Sequence, residues 1–365
     1  MIFNMIGSNG PSMKSTIIVS VSTGSTVGAY TDAACTTLVK TATERSEGEF
    51  WITGLNNGLY YIKATKNTDE SIVSYTINEF GVYRICMLYR TIPEFTYTGT
   101  YEVVEDDDTV ISNVTKYNEP NWKIRFLTSG TLILSDLYEA IDGIDVFLVG
   151  GGGAGSNPGG GGAGGGGGYT KTIRGVTVSV NSPYLVTIGE GGAVGTKGVA
   201  IGANGGASSF GTLEPADGGY GGQNSVGGNG GSGGGSGYIA NRAPDGETKL
   251  AGGSDGGNGS TYDSQSVGIG QGTTTREFGE SSGKLYAGGG GGGSNQGSSA
   301  PSYGGAGGAG GGGHGHGTSS KPATAGEANT GGGGGAGANN TVNNTNTALL
   351  AGSGGSGIVI IRNAR

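Results

Sequence analysis

The sequence predicts an all-β protein: a small N-terminal β-sandwich, then a glycine-rich domain in which a β-sandwich frames packed polyglycine II helices. Three observations lead to this prediction. Apolar and polar residues alternate in short runs up to residue 188, which is the period of β-strands, and a short apolar run follows at 358–361. Glycine supplies 86 of the 365 residues, and 75 of these glycines follow residue 149. Helical periodicity is absent throughout.

The first 90 residues show the pattern of short, half-buried strands. Ile17, Val19 and Val21 alternate with their neighbours, and two further strands flank Asn56-Asn57-Gly58, which predicts a hairpin. Residues 48–64 follow the pattern G-x-F-x-I-x-x-L-x-x-G-x-Y-x-I-x-A and so resemble small prealbumin-like and carboxypeptidase-regulatory-like sandwiches. We expect residues 1–90 to form an Ig-like or prealbumin-like sandwich, completed by strands at 72–77 and 82–89. Its expected role is that of an anchor or spacer.

Residues 91–99 are expected to be a linker, and residues 100–365 a second domain. Its strand frame is expected at 100–149, 169–190 and 346–362, and its glycine-rich insert at 150–168 and 189–345. Within the frame, strands 122–127 and 131–134 predict one hairpin, and strands 176–180 and 184–188 predict another. The apolar strand at 358–361 is expected to pair with the sheet that begins at 122–149. This closure would hold both ends of the insert.

The glycine content allows two interpretations, a disordered low-complexity insert or an ordered lattice. Flanking strands, isolated apolar residues and a three-residue phase in residues 304–313 favour the lattice. Polyproline II geometry has three residues per turn and no internal hydrogen bonds, so neighbouring chains must satisfy the backbone groups. Only glycine lets those chains approach on every side.

Charge and cysteine content exclude several classes of protein. The net charge is −8, and it lies entirely within residues 1–149, because residues 150–365 carry equal numbers of acidic and basic side chains. A nucleic-acid partner is not expected, since Arg-Gly-Gly repeats are absent. Neither membrane insertion nor a secretory signal is expected, because no long apolar run occurs. Cys35 and Cys86 are expected to be two buried thiols, with a single bridge as the alternative.

No catalytic group, cofactor or metal is expected from the motifs. The Gly-x-Ser-x-Gly spellings at 230–234 and 252–256 lack the strand and helix of a nucleophile elbow. His314 and His316 could supply two metal ligands, but two exposed loop histidines are the preferred interpretation. The acidic run 105–108 could hold calcium, but a polar turn is preferred.

Loop composition suggests a binding surface. Between residues 218 and 346 the residues other than glycine are mainly Ser, Asn, Thr and Ala with isolated tyrosines, a composition also found in antibody paratopes. Tyr286, in Lys-Leu-Tyr-Ala, is expected to cap the core. The residues expected to contact a receptor are Tyr220, Tyr238, Tyr262, Tyr303, His314 and His316.

Residues 122–127, the run Asp145-Val-Phe-Leu-Val-Gly-Gly-Gly-Gly153 and the closing residues 354–362 resemble the glycine-rich domain of phage and prophage tail proteins. The glycine blocks are also similar in kind to the tail-fibre-tip adhesins of T-even-type phages. The resemblance implies a non-enzymatic protein of the virion, made in the bacterial cytoplasm. Its loops would bind a bacterial surface receptor, either a protein or a glycan, and its N-terminal domain would bind other virion proteins.

Two other functions stay open at this point. The first is a structural or decoration role in the tail or head of the virion, and the second is binding of ice or another surface by a flat polyglycine lattice. The sequence leaves the oligomeric state open, because it contains no coiled-coil heptads to support a trimer.

Overall fold

The computed structural model describes fourteen stretches of the chain: residues 14–21, 25–46, 49–66, 69–86, 92–111, 122–137, 143–158, 161–194, 200–238, 247–261, 266–294, 304–317, 322–338 and 350–364. Within these stretches the regular structure consists of β-strands and two short 3₁₀ helices, Glu247–Leu250 and Glu277–Gly279. The predicted all-β class is confirmed. No helix in the described stretches is both long and apolar enough to cross a membrane.

The chain divides into two compact units. Unit 1 is centred on Met1–Glu94, and unit 2 comprises Phe95–Ile111, Asn121–Ser135 and Asp142–Arg365. The predicted linker 91–99 is too long, because Glu94–Tyr97 forms a strand that pairs within a sheet of unit 2.

Unit 1 is a sandwich of two four-stranded sheets, in the orders β4-β5-β1-β8 and β3-β2-β6-β7. The strands are β1 (Ser15–Ser20), β2 (Thr26–Tyr30), β3 (Leu38–Thr41), β4 (Thr43–Ser46), β5 (Glu49–Leu55), β6 (Gly58–Lys66), β7 (Asp69–Ile77) and β8 (Val82–Cys86). Inward-facing apolar residues of both sheets, among them Ile17, Ile52 and Ile62, are fully buried and form one core. Cys35 is free and half-buried, and burial raises the pKa of its thiol.

The expected hairpin at Asn56-Asn57-Gly58 is wrong. Strand β5 pairs with β1 and β4, whereas β6 pairs with β2 and β7, so the turn carries the chain from one sheet to the other. The three residues still form a turn, in which Gly58 has a φ of 155° and the side-chain amide of Asn57 donates to the carbonyl of Asn78 at 2.7 Å. The alternation predicts which face of each strand is buried, but it does not predict the sheet to which the strand belongs.

The sandwich of unit 2 has a five-stranded sheet, β10-β11-β17-β13-β14, and a four-stranded sheet, β16-β15-β12-β9. The strands are β9 (Glu94–Tyr97), β10 (Tyr101–Val104), β11 (Lys123–Phe126), β12 (Gly130–Asp136), β13 (Ile144–Val149), β14 (Thr170–Val176), β15 (Pro183–Thr187), β16 (Ser209–Phe210) and β17 (Ile358–Asn363). The closing strand β17 lies between β11 and β13 and pairs with both. The predicted closure of the domain by residues 358–361 is therefore confirmed.

Both hairpins expected in this frame are wrong for the same reason as in unit 1. Strands β11 and β12 belong to different sheets, and so do β14 and β15. Strand β14 also ends at Val176 rather than at residue 180. The final part of the frame begins at Ile358 rather than at 346, because residues 351–357 belong to the glycine-rich part.

Residues 150–156 leave β13 as an extended segment that is hydrogen-bonded to three different neighbours in turn. The amides at 151 and 154 donate to segment 203–206, those at 152 and 155 to 352–355, and those at 153 and 156 to 163–166, with N···O distances of 2.9 to 3.0 Å. Segment 162–168 repeats the pattern with 331–337, 217–224 and 232–235. Amides three residues apart thus point to the same neighbouring segment, as expected for polyglycine II with its three residues per turn. The predicted packed helices are therefore confirmed. We call this array the polyglycine lattice.

Close approach of the backbones explains why the lattice is made of glycine. A Cβ added to Gly165 would lie 2.1 Å from the carbonyl oxygen of Gly153, and one on Gly290 would lie 2.0 Å from that of Gly334. No side chain fits at such distances. Alanine occurs both at exposed positions such as Ala309 and at fully buried ones such as Ala154, Ala163 and Ala336, so a small side chain fits at some positions of the lattice and not at others.

Candidate functional site

The segments of the lattice alternate in direction, which gives it two distinct ends. Segment 150–156 runs outward from β13 and segment 162–168 returns to β14, and the later segments continue this alternation until 351–357 enters β17. We call the end at the sandwich the frame end and the opposite end the loop end. Seven residues of polyproline II geometry separate the two ends by about 20 Å.

A line of backbone hydrogen bonds crosses the loop end. The amide of Tyr238 donates to Gly293 at 3.1 Å, that of Ser294 to His316 at 3.2 Å and that of His316 to Ala336 at 2.8 Å. Four segments that are distant in sequence therefore terminate side by side, and each leads into a connection toward the next segment. The loop end is held together as one surface.

Polar side-chain atoms without partners gather at the loop end. The ring nitrogens of His316, the hydroxyl of Ser294 and the amide nitrogen of Asn157 are buried, and none has a hydrogen-bond partner within the described stretches. Burial of such groups is unfavourable by about 1–3 kcal/mol each. Buried donors and acceptors of three segments therefore lie at the loop end without a partner among the described residues.

The six expected contact residues divide into three groups. Tyr220 is 49% exposed, and His314 is also exposed, as expected. Tyr238 is only 6% exposed and His316 is fully buried, so the expectation that these two present their side chains to solvent is wrong. Tyr262 and Tyr303 lie outside the described residues. Tyr286 is 1% exposed and belongs to a core cluster, which confirms its predicted role as a core residue.

Helix geometry explains why the two histidines differ. Successive residues of polyproline II turn by about 120°, so residues two apart point in different directions and residues three apart point in the same one. His314 points outward, and its Nδ1 accepts from the amide of Gly307 at 3.3 Å, whereas His316 points inward with Gly313. The pair cannot bind one metal ion. Across the described stretches, no group of three His, Cys, Asp or Glu side chains could hold a metal.

Burial also determines the protonation of His316. The lattice around it holds the pKa of its imidazole below the ordinary value, because a buried ring is harder to charge. His316 is therefore neutral at neutral pH.

A buried ion network at the frame end was missed by sequence analysis. Lys123 Nζ lies 2.8 Å from Glu277 Oε1 and 3.0 Å from Asp108 Oδ1, and Arg125 pairs with both carboxylates. Tyr286 donates to Glu277 Oε2 at 3.2 Å. Desolvation would raise the pKa of Asp108, but the hydrogen bond from Lys123 and the charge of Arg125 hold it below its usual value. The network joins the strand frame to the 277–287 turn.

The possible calcium turn at 105–108 takes part in this network. Its three aspartates line a cleft of ≈320 Å³ together with Lys123, Glu277, Glu280 and Arg362. Asp108 is neutralised by cations of the protein itself, and the carbonyl of Asp106 accepts from Lys123 at 3.2 Å. The preferred interpretation, a polar turn, fits these contacts better than a calcium site does.

Comparison with known proteins identifies the larger unit. A family model described as "glycine-rich domain" matches residues 128–364. The chain belongs to this glycine-rich domain family. The match covers the frame strands β12 to β17 and the whole lattice, and the sandwich of strands β1 to β8 lies outside it.

Among solved structures, the chain shows a slight similarity to the major pilin subunit of Bacillus cereus. The identity is 10%, the TM-score is 0.20, and the alignment covers 37% of this chain and 42% of the pilin chain. No match was found among curated proteins.

Proposed function

We propose that this glycine-rich-domain protein is a non-enzymatic component of a phage virion whose loop end binds a receptor on the bacterial surface. Unit 1 would attach it to other virion proteins. The tail-protein resemblance of the frame and glycine blocks supports the virion assignment. The observation that carries the binding role is the alternation of the lattice, which brings every outward segment to the same end.

Rigidity favours this use of the loop end. Tyr238, Ser294 and His316 are fixed by backbone hydrogen bonds to neighbouring segments, so the starting points of several connections are held in place. A surface that is ordered before binding loses less conformational entropy when it binds. This advantage of an ordered surface applies to a protein receptor and to a glycan receptor alike.

Composition favours hydrogen bonding over charge in two of the connections at the loop end, whereas the connection 239–249 carries Arg242, Asp245, Glu247 and Lys249. Residues 294–303 and 338–350 contain no Asp, Glu, Lys or Arg, and they are rich in Ser, Asn and Thr. Side chains of this kind supply adaptable donors and acceptors. We therefore expect binding through these two uncharged connections to change little with ionic strength.

The test is binding of the fluorescently labelled full chain to cells of the bacterium that the encoding phage infects, measured by flow cytometry. One variant replaces residues 295–302 with a Gly-Ser sequence of equal length, and a matched control carries Thr212→Ala and Glu214→Ala at the frame end. We expect binding at least tenfold weaker in the first variant and unchanged in the second. Absence of binding by the unaltered chain, or equal binding by all three proteins, would overturn the proposal.

A structural or decoration role is the second candidate, and one observation favours it. Several polar side chains that resemble recognition residues in the sequence bond to the lattice itself, such as Ser254 Oγ, which accepts from the amide of Ala309 at 2.7 Å. If virions contain the chain but the purified protein binds no host cells, this second role replaces the first.

A further inference from the structure

One lateral face of the lattice has an unusual way of completing its hydrogen bonds. The face is formed by the adjoining segments 202–206, 217–222, 227–230, 267–270 and 257–259, each bonded to the next. We call it the capped face. Among the described residues, no further segment lies beyond this face to accept a hydrogen bond from the backbone amides that point out of it.

Three asparagines supply the missing acceptors. Asn204 Oδ1 accepts from the amide of Gly221 at 2.9 Å, Asn229 Oδ1 from Ile269 at 2.8 Å, and Asn258 Oδ1 from Gly270 at 2.9 Å. All three asparagine side chains are exposed.

The same local arrangement recurs at each of the three sites. A glycine follows each asparagine, and the amide of that glycine donates across to the segment that its asparagine caps, at 2.9 Å for Gly205, 3.0 Å for Gly230 and 3.0 Å for Gly259. Each Asn-Gly pair thus holds the neighbouring segment by one backbone bond and one side-chain bond. The carboxamide carbonyl is chemically the same acceptor as a peptide carbonyl, so it replaces the backbone of an absent segment.

Exposed apolar side chains on and beside the capped face make it a surface to which another chain could bind. Tyr220 and Ile269 in its segments are 49% and 59% exposed, and Ile201 and Val226, which directly precede two of the segments, are 56% and 41% exposed. Exposed apolar groups beside free backbone donors make an edge to which another chain can add, as at the edge strands of β-sheets.

We propose that Asn204, Asn229 and Asn258 are edge caps that prevent a second copy of this chain from adding a polyglycine segment to the capped face. Each cap occupies the position that a carbonyl of the second copy would take. Removing the caps exposes the amide of Gly221 on one segment and those of Ile269 and Gly270 on another, beside the apolar side chains. Self-association through this face should follow.

The test compares the full chain with two triple variants, one carrying Ala and one carrying Asp at positions 204, 229 and 258. Aspartate keeps an acceptor oxygen at the same place, whereas alanine removes it. We expect amide exchange of Gly221, Ile269 and Gly270 to be about tenfold faster in the Ala variant and unchanged in the Asp variant. In sedimentation velocity, the Ala variant should show a sedimentation coefficient that rises with concentration more steeply than in the wild type.

Two controls keep the test decisive. Sedimentation is repeated in 0.5 M salt, where the extra charge of the Asp variant is screened. Single Ala variants show whether the fold survives, through unchanged exchange of segment 162–168. If the folded Ala variants sediment like the wild type at every concentration, or if their three amides exchange at the wild-type rate, the proposal is wrong.

Discussion

Replacing Gly165 by alanine tests how closely the lattice is packed. This residue lies in the buried segment 162–168, where its amide donates to Gly334 at 2.9 Å and its carbonyl accepts from Gly290 at 2.8 Å. The new Cβ would lie 2.1 Å from the carbonyl oxygen of Gly153. Relief of that overlap requires a shift of roughly 1 Å, which separates at least one of these hydrogen-bonded pairs.

The expected loss of stability follows from three contributions. Overpacking a tight interior is unfavourable by about 1–3 kcal/mol, and each buried backbone group left without a partner adds about 1–3 kcal/mol. Alanine also lowers the conformational entropy of the unfolded chain, which stabilises the folded state by about 0.5–1 kcal/mol and offsets part of this loss. With one donor–acceptor pair separated, the free energy of unfolding of unit 2 should therefore fall by about 2–8 kcal/mol.

Equilibrium unfolding in urea measures this change. Trp122 is fully buried in unit 2, so its fluorescence reports this unit once Trp51 of unit 1 has been replaced by Phe. Ala325→Ser, at an exposed position of the same lattice, is the matched control and should change the free energy by less than about 0.5 kcal/mol. A Gly165→Ala variant within about 1 kcal/mol of the parent would refute the close-packed geometry.

Two further predictions concern the charged groups of unit 2. Glu277→Ala should lower the free energy of unfolding by about 3–5 kcal/mol in the same assay, because it removes one of the two carboxylates that pair with buried Lys123 and Arg125. An effect below about 1 kcal/mol would mean that the network contributes little to stability. Burial lowers the pKa of His316, so its imidazole binds a proton more readily in the unfolded chain than in the folded one. The free energy of unfolding should therefore be highest above pH 6.5 and decrease as the pH falls toward the folded-state pKa. His316→Leu should remove this dependence below pH 6.5 while His314→Leu retains it, and equal slopes in both variants would contradict the assignment.

The strands were predictable because their signal is local. Alternation located most of them, and the apolar strand 358–361 after a long insert predicted closure of the frame, as β17 shows. The pairing of strands was not predictable from the same signal. A short Gly or Asn turn serves equally well for a hairpin and for a crossing between two sheets, so all three expected hairpins were wrong.

In the candidate site, too, features set by local sequence were predictable and those set by long-range contacts were not. The buried position of His316 could have been predicted by counting in threes from the glycine block, since Gly313 and His316 share one phase and His314 lies on another. The ion network could not have been found in this way. Asp108, Lys123 and Glu277 are brought together only by folding, across up to 169 positions of sequence.

The central claim is that residues 150–357 contain an ordered, hydrogen-bonded polyglycine lattice, and amide hydrogen exchange of the full chain tests it most directly. Segments 150–156, 162–168, 287–294 and 331–337 have buried backbones whose amides donate to neighbouring segments. We predict that their amides exchange as slowly as those of strands β13 and β17. Fast exchange in these four segments, with protection confined to the strands, would mean a disordered insert and would contradict the account.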